Sequence, residues 1–248
     1  MRELRVHLLP SLVEPADLAG RTVVVIDVLR ATTTVCHALA AGAACVVPCL
    51  EIDEARAKAR SLRDALLGGE RGGRKIEGFD FGNSPTEYTA ERVGGKNVVF
   101  TTTNGTRALL RAAAADEILL GAFVNLSTVA AALTGRERVD LLCAGTNGVI
   151  TAEDALFAGA VVERLSQASR GREPSGMTPT LNDQALLTRE AWRHVVASGR
   201  PLATVLRDCQ GGRNLIGEGF DADIDTAAQI DAVPLLPRFN AATGRIIA

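Results

Sequence analysis

Acidic, basic and hydroxyl side chains follow one apolar run near the start of the sequence. The run 23–28 is rich in β-branched residues, contains Asp27, and is typical of a strand covered on both faces. Ligands of open α/β sheets bind beyond the carboxyl ends of strands, near helix N-termini. The side chains placed there are Arg30, Thr32, Thr33 and Thr34. They suit a metal-bound phosphate, although a helix N-cap at Thr32 or Thr33, with Asp27 in a loop, explains the same residues.

Further acids stand at predicted loop or helix starts. Glu70 and Arg71 lie in a glycine-rich stretch, and Glu153 and Asp154 begin a predicted helix. Mg²⁺ prefers hard oxygen ligands and often takes only one or two carboxylates, and the planar arginine guanidinium suits oxyanions. Together with Asp27, these residues are candidates for a magnesium and phosphate site. Two alternatives stay open, namely compensation of the helix dipole by Glu153 and Asp154, and a solvated Glu70–Arg71 pair worth under ~1 kcal/mol.

Hydroxyl and amide donors recur after two later apolar runs, 97–100 and 139–143. They are Thr102, Thr103, Asn104 and Asn147. With the backbone N–H groups of the helix N-termini that follow, they are candidates for binding an oxyanion. The threonines at 101–103 are also explained as β-forming residues that close a strand.

Several other kinds of site are disfavoured. The three histidines are scattered, without Ser-His-Asp or metal-ligand spacing. Cys143 precedes a glycine-containing loop, but a C-x5-R phosphate loop requires arginine at the position of Val149. Asp27 ends a strand, as in haloacid-dehalogenase phosphatases, yet Leu29 replaces the second acid of their D-x-D motif. No G-x-G-x-x-G follows the first strand, which argues against a nicotinamide-binding enzyme.

Strands and helices that must position these residues alternate along the chain. Further strands are predicted at 2–9, 44–49, 97–100, 117–121 and 139–143. Helices are predicted at 36–42, 51–67, 125–133, 151–165, 181–198, 201–209 and 224–230, with a turn-rich break at 169–179. Two more helices are predicted by one end only: one starts at residue 84, and another follows residue 107 and ends near residue 115. The glycine-dense stretch 67–85 is predicted to be a functional loop. The C-terminal third carries fewer chemical groups, so we expect scaffold or subunit contacts there, with a helix stopped by glycines 211 and 212.

The predicted fold is α/β, a layered α/β/α arrangement around a mixed, mostly parallel sheet. Two units look alike, each with a strand, a threonine triplet, an alanine-rich helix and a second strand, which favours two similar βαβ-type halves. We therefore expect residues 1–248 to form a single functional unit, with two subdomains divided near residues 95 and 96.

Composition narrows the function classes. The 248 residues are 47% hydrophobic and 23% charged, which is typical of a globular protein. The net charge of −2 and the 4% of aromatic residues disfavour nucleic acid as a partner. No segment reaches the ~18 apolar residues that span a membrane, and the first residues lack a signal-peptide core. The five cysteines lack C-x-x-C spacing, which favours buried free thiols over disulfides or zinc. We expect a cytoplasmic protein that binds neither nucleic acid nor membranes.

Four motifs, in their order and spacing, carry a resemblance to a known family. They are residues 27–34, residues 69–71 with 78–85, residues 101–106, and residues 143–145 leading to Glu153 and Asp154. Together they resemble the 2-phosphosulfolactate phosphatases of coenzyme M biosynthesis. The resemblance covers about the first two-thirds of the chain, and Cys209 departs from the serine that the family places before the Gly-Gly turn.

The resemblance implies a Mg²⁺-dependent phosphatase with an α/β fold. Its substrate is a small phosphorylated sulfonate, or a related phosphorylated carboxylate, and its products are 3-sulfolactate and phosphate. The implied catalytic residues are Asp27, Arg30, Glu70 and Asp154, and the implied magnesium ligands are Asp27, Glu70, Asp154 and, as a fourth, Glu153. The implied substrate-binding residues are Arg71, Thr32, Thr33, Thr34, Thr102, Thr103, Asn104 and Asn147.

Two questions stay open at this point. Asp27 either attacks phosphorus or orders a metal-bound water. The competing hypothesis from another class is a non-catalytic module that binds a phosphorylated or sulfonated metabolite, although such a module has no need of three carboxylates beside the arginines. From base rates we expect a homodimer.

Overall fold

The apolar runs of the sequence become the strands of one sheet in a computed structural model that describes residues 3–172 and 179–248. The strands are β1 Glu3–His7, β2 Thr22–Ile26, β3 Cys45–Cys49, β4 Ala65–Arg71, β5 Arg74–Lys75, β6 Asn97–Thr101, β7 Glu117–Gly121, β8 Arg138–Cys143, β9 Thr180–Leu181, β10 Arg238–Asn240 and β11 Arg245–Ile247. The helices are α1 Ala31–Ala40, α2 Ile52–Ser61, α3 Ala90–Val93, α4 Asn104–Arg111, α5 Leu126–Leu133, α6 Ala152–Arg172, α7 Asp183–Ser198, α8 Leu202–Asp208, α9 Gln210–Gly217 and α10 Asp221–Ala227.

Two groups of parallel strands share this sheet, and a hairpin joins them. The strand order over the described residues is β5-β4-β6-β3-β11-β10-β7-β2-β8-β1-β9. Strands β4, β6 and β3 are parallel to one another, as are β7, β2, β8, β1 and β9. The β10–β11 hairpin is antiparallel to β7 on one side and to β3 on the other. The prediction of a mixed, mostly parallel sheet is therefore confirmed.

Helices cover both faces of the sheet, because successive side chains of a strand point to opposite sides. Val24 and Ile26 of β2 pack in a core with α5 to α10, whereas Val23 and Val25 pack against α1 and α4. A further core lies between α2 and the outer faces of β3 and β6. This arrangement confirms the layered α/β/α prediction.

Each of the two similar units of the sequence contributes one strand to each of the two strand groups. The first unit is β2-α1-β3 and the second is β6-α4-β7. The first strand of each unit pairs with the second strand of the other, since β2 pairs with β7 and β6 pairs with β3. Their helices share one core, and this packing brings the N-termini of α1 and α4 together. A Cβ on Gly105 would lie 2.8 Å from both the Oδ2 atom of Asp27 and the Cβ of Ala31.

The prediction of a loop over residues 67–85 is wrong in part, because residues 65–71 form strand β4, which pairs with β6. The glycines that suggested a loop allow this close pairing. A side chain on Gly69, whose φ is +131°, would overlap the carbonyl oxygen of Thr101. Helix α2 ends at Ser61 in consequence, well short of the predicted residue 67.

Other boundaries also differ from the sequence prediction. Helix α1 begins at Ala31 and includes the threonines at 32–34, so the start at residue 36 was too late. Glycines 211 and 212 lie inside α9 instead of stopping a helix. Helix α6 continues to Arg172, and residues 173–178 of the predicted break lie outside the described residues. All five cysteines are buried and unpaired, as expected. Within the described ranges, no helix is long and apolar enough to cross a membrane.

Candidate active site

A polar cavity of about 440 Å³ lies where the N-termini of α1 and α4 meet. The predicted site residues that line it are Asp27, Arg30, Glu70, Thr102, Thr103, Asn104 and Asn147. Residues that line it without having been predicted are Leu29, Gly72, Gly73, Asn83, Thr146, Gly211, Arg213, Asn214, Leu215, Gly217 and Glu218. The structure thus brings together groups that follow three strands, β2, β6 and β8, with others from the β4–β5 turn and α9.

Asp27 is the buried carboxylate at the carboxyl end of β2. Its Oδ1 atom accepts a hydrogen bond from the backbone N–H of Ala31 at 3.2 Å, at the start of α1. Burial, and next the charge of Asp154, raise the pKa of Asp27 to about 8, with a smaller contribution from Glu70. Without a compensating cation this carboxyl therefore keeps its proton to a higher pH than an ordinary aspartate does.

Asp154, in the first turn of α6, is outside the cavity lining and holds two strand ends together. Its Oδ1 atom accepts from the backbone N–H of Val28 at 2.9 Å, and its Oδ2 atom accepts from that of Gly145 at 3.0 Å. Both oxygen atoms are thus bound to backbone, one after β2 and the other after β8. Burial, followed by the charge of Glu153, raises the pKa of Asp154 to about 7.

Glu153 joins the first turn of α6 to the start of α9. Its side chain is buried and contacts Gly211, where a Cβ would collide with the Oε1 atom. Burial raises the pKa of Glu153 to about 7, with a further contribution from Asp27, and a hydrogen bond from the Gly211 backbone opposes the shift. The Oε2 atom is buried without a hydrogen-bond partner among the described residues. A buried carboxylate oxygen in this state is a candidate donor to a cation.

Glu70 fixes the β4–β5 turn to the N-terminus of α4. Its two carboxylate oxygens accept from the backbone N–H of Thr103 at 3.2 Å and from that of Gly73 at 2.8 Å. The neighbouring Arg71 does not line the cavity, because its guanidinium donates to the backbone carbonyls of Glu70 and Leu50. Glu70 therefore lines the cavity, whereas the side chain of Arg71 binds the backbone of its own strand and of Leu50.

The hydroxyls at 32–34 do not line the cavity either. Thr32 donates to the carbonyl of Gly121 at 2.8 Å, Thr33 donates to that of Val28 at 2.7 Å, and Thr34 donates to that of Asn83 at 2.9 Å. All three side chains are buried. They secure the first turns of α1 to the strands and loops around it, which differs from the substrate contact that the resemblance implied.

The later donors do reach the cavity. Asn104 accepts from the backbone N–H of Asn147 at 3.1 Å, which ties the loop after β8 to the start of α4. Asn147 has a φ of 53°, a conformation that asparagine tolerates better than most residues. The hydroxyl oxygens of Thr102 and Thr106 lie 3.2 Å apart.

Arg30 is a buried cation that the C-terminal helices hold in place. Its guanidinium pairs with Asp223 of α10 at 2.7 Å and donates to the carbonyl of Gly73 at 2.9 Å. It also lies 4.3 Å from the ring centroid of Phe220. Asp223 in turn accepts from the hydroxyl of Ser84 at 2.6 Å. This network fixes Arg30 from three sides.

The C-terminal third is therefore more than the expected scaffold. Arg213 and Asn214 of α9 line the cavity, and Asp223 of α10 pairs with Arg30. The sequence contains one indication, since Arg213 directly follows two glycines that permit a close approach. A Cβ on Gly212 would overlap the carbonyl of Leu206, so α9 packs tightly on α8.

The carboxylates fit a magnesium ion in donor chemistry. Asp27, Glu70 and Glu153 offer hard oxygens, and Asp27 interacts electrostatically with both of the others. The orphaned Oε2 atom of Glu153 is a second argument. Within the described residues, no three histidine, cysteine or acidic side chains are already gathered as a metal cage. Water and substrate would have to supply the remaining ligands, as is usual for Mg²⁺.

Comparison with known proteins places the chain among phosphatases. The family described as 2-phosphosulpholactate phosphatase matches residues 7–242. A protein of Symbiobacterium thermophilum named "Probable 2-phosphosulfolactate phosphatase" is 44% identical over 92% of this chain and 95% of its own length. Relatives with the same name from Thermotoga petrophila and Carboxydothermus hydrogenoformans are 39% and 36% identical, covering 88% and 92% of this chain and 88% and 90% of their own lengths.

Proposed function

The chain belongs to the 2-phosphosulpholactate phosphatase family, and we propose that it hydrolyses 2-phosphosulfolactate, or a closely related small phosphorylated acid, in a Mg²⁺-dependent reaction. The enzyme is thus a phosphoric monoester hydrolase. In the net reaction the bond between phosphorus and the ester oxygen breaks, phosphorus gains the oxygen of a water molecule, and 3-sulfolactate leaves with a proton on the ester oxygen.

The observation that carries the proposal is a buried cation beside buried carboxylates in one cavity. Arg30 lies in the same lining as Asp27 and Glu70. Its planar guanidinium suits two phosphoryl oxygens, and low exposure strengthens the interaction. A module that only binds a metabolite would gain nothing from carboxylates that repel its anionic ligand.

Magnesium would be held by Asp27 and Glu70 of the cavity lining, with Glu153 and Asp154 as further candidate ligands outside that lining. When bound, it supplies positive charge to the phosphoryl oxygens and lowers the pKa of a coordinated water. Arg30 binds and orients the phosphoryl group, and Thr102, Thr103 and Asn104 offer hydroxyl, backbone and amide donors beside it. Phosphomonoester hydrolysis is among the slowest uncatalysed reactions, so the site must combine several such effects.

Phosphate release is the decisive assay. Racemic 2-phosphosulfolactate and 2-phospholactate are each incubated with the protein, with Mg²⁺ or with EDTA. We expect EDTA-sensitive release that is faster with the sulfonate. Release that EDTA does not affect would contradict the magnesium requirement, and no release from either compound would favour the metabolite-binding module.

Asp27 has two candidate roles in the proposed reaction, as nucleophile or as metal ligand. A nucleophilic Asp27 forms an aspartyl phosphate during turnover, which borohydride reduces to a trapped homoserine. Mass spectrometry of the peptide containing residue 27 distinguishes the two roles. A cytoplasmic homodimer also stays our expectation, and analytical ultracentrifugation tests its oligomeric state.

A further inference from the structure

The two arginines that line the cavity differ in how their charges are compensated. Arg30 is buried and paired with Asp223. Arg213 is exposed at the cavity wall and has no carboxylate partner among the described residues. Of these two cations, Arg213 therefore keeps an uncompensated charge for an anion that enters the cavity.

Uncharged groups hold the guanidinium of Arg213 in place. It donates to the backbone carbonyl of Asp208 and to the Oε1 atom of Gln210, the latter at 3.0 Å. These two contacts occupy part of its five N–H donors and orient the rest. The tight packing of Gly212 on Leu206 fixes the backbone beneath it. Arg213 is thus positioned before any ligand binds, which reduces the entropy lost on binding.

The proposed substrate carries a group that requires such a partner. The carboxylate of 2-phosphosulfolactate is attached to the carbon that bears the phosphate ester, whereas the sulfonate lies one bond farther away. A sulfonate is a weak base and a poor magnesium ligand, so its recognition depends on cationic hydrogen-bond donors. With the phosphoryl group assigned to Arg30 and the carboxylates, Arg213 is the other arginine of the cavity lining that the sulfonate can meet.

We propose that Arg213 binds the sulfonate and is the residue that selects a phosphorylated sulfonate over the corresponding phosphorylated carboxylate that lacks it. This inference rests on the proposed function, because it assigns one part of the proposed substrate to one residue. Arg213 is a specificity-determining residue and takes no part in proton or phosphoryl transfer.

The test compares two substrates that differ only in the sulfonate, 2-phosphosulfolactate and 2-phospholactate. In the wild-type enzyme we expect kcat/KM to favour the sulfonate about 10-fold or more, as for a charge-assisted hydrogen-bonded pair. In Arg213→Gln the preference falls to about 1, through a higher KM for the sulfonate substrate alone. Arg213→Lys keeps the charge but loses the planar fork, so it retains part of the preference.

Arg63→Gln is the matched control, because Arg63 is an exposed arginine outside the cavity lining and the change in net charge is the same. Its substrate preference should equal that of the wild type. An unchanged preference in Arg213→Gln, or an equal loss with both substrates, would overturn the assignment. So would a wild-type enzyme that turns over both compounds equally well. Absence of turnover by the wild type would instead refute the proposed function, and the assignment with it.

Discussion

At the scale of single residues, the site depends on carboxylates that burial makes reluctant to ionise. Burial is the largest cause of the raised pKa of Asp27, Glu153 and Asp154, and the charge of a neighbouring carboxylate raises each of the three further. Strongly perturbed titratable groups in a cavity are typical of functional sites. A divalent cation offsets both causes, since it compensates the charge and replaces lost hydration.

Asp27→Asn tests the central carboxylate. The amide keeps the shape and removes the charge, so we expect phosphate release to fall by about 10³-fold or more while the fold is retained. Steady-state phosphate release and far-UV circular dichroism measure the two effects. Near-normal turnover in this variant would exclude Asp27 from the chemistry.

Asp223→Asn tests how Arg30 is positioned. The variant leaves a buried guanidinium without its ionic partner, at a cost in stability and in the orientation of the guanidinium. We expect kcat/KM to fall by about 10- to 100-fold, with kcat lowered as well as KM raised, because the oriented cation acts on the transition state.

Asp225→Asn is the matched control for Asp223→Asn. Asp225 lies on the same helix and pairs with Arg207 at the surface, where an ion pair contributes under ~1 kcal/mol. The two variants should differ by more than tenfold in kcat/KM. Equal kinetic effects would show that Asp223 acts only through the stability of α10.

At the scale of elements, the sequence predicts those strands and site residues that a local pattern of apolar and polar residues determines. Strands β2, β6 and β8 appear as apolar runs, and Asp27, Thr102 and Asn147 follow them at positions where ligands bind. Strand β4 was missed because its glycines resemble a loop, whereas their small size serves the contact with β6.

The remaining site residues could not be predicted in this way. Arg213 and Asp223 are distant in sequence from Asp27, and tertiary packing of α9 and α10 brings Arg213 to the cavity and Asp223 to Arg30. Hydrogen bonding also explains why Thr33, which the resemblance implied for substrate binding, is outside the cavity lining, since its hydroxyl donates to a backbone carbonyl. Composition does not distinguish a hydroxyl that binds a ligand from one that binds its own backbone.

The β10–β11 hairpin is the element whose contribution to stability is tested most directly. Ile246 is buried and pairs with Val46 of β3, whereas its neighbour Ile247 is 44% exposed. Ile246→Ala should lower the free energy of unfolding by about 2–5 kcal/mol. Ile247→Ala should change it by about 1 kcal/mol or less. Urea denaturation measures both, and similar losses would mean that the hairpin does not hold the two strand groups together.

At the scale of the whole molecule, the raised pKa values make stability depend on pH and on metal. Between pH ~4 and ~8 the folded protein keeps protons on Asp27, Glu153 and Asp154 that the unfolded chain has released. The folded state then binds more protons, so the free energy of unfolding falls as pH rises. Acids with lowered pKa, such as Glu163, act in the opposite sense only below pH ~5.

We therefore expect the metal-free protein to be less stable at pH 8.5 than at pH 5.5, by several kcal/mol at ~1.4 kcal/mol per pKa unit. Mg²⁺ should restore stability more at the higher pH, where the carboxylates are free of protons. Urea denaturation with EDTA or Mg²⁺ at both pH values measures this. Asp27→Asn should show a smaller fall, and an equal fall in that variant would contradict the assignment to Asp27.

The position of the β10–β11 hairpin has a consequence for folding of the chain during its synthesis. Residues 238–247 follow every other described strand and helix in chain order, yet they fill the gap between β3 and β7. Until they emerge, the nascent chain holds two groups of strands with open edges, which are prone to pair with other chains. Synthesis proceeds from one end, but the sheet is completed in its middle, so its two halves join only after residues 238–247 have been made.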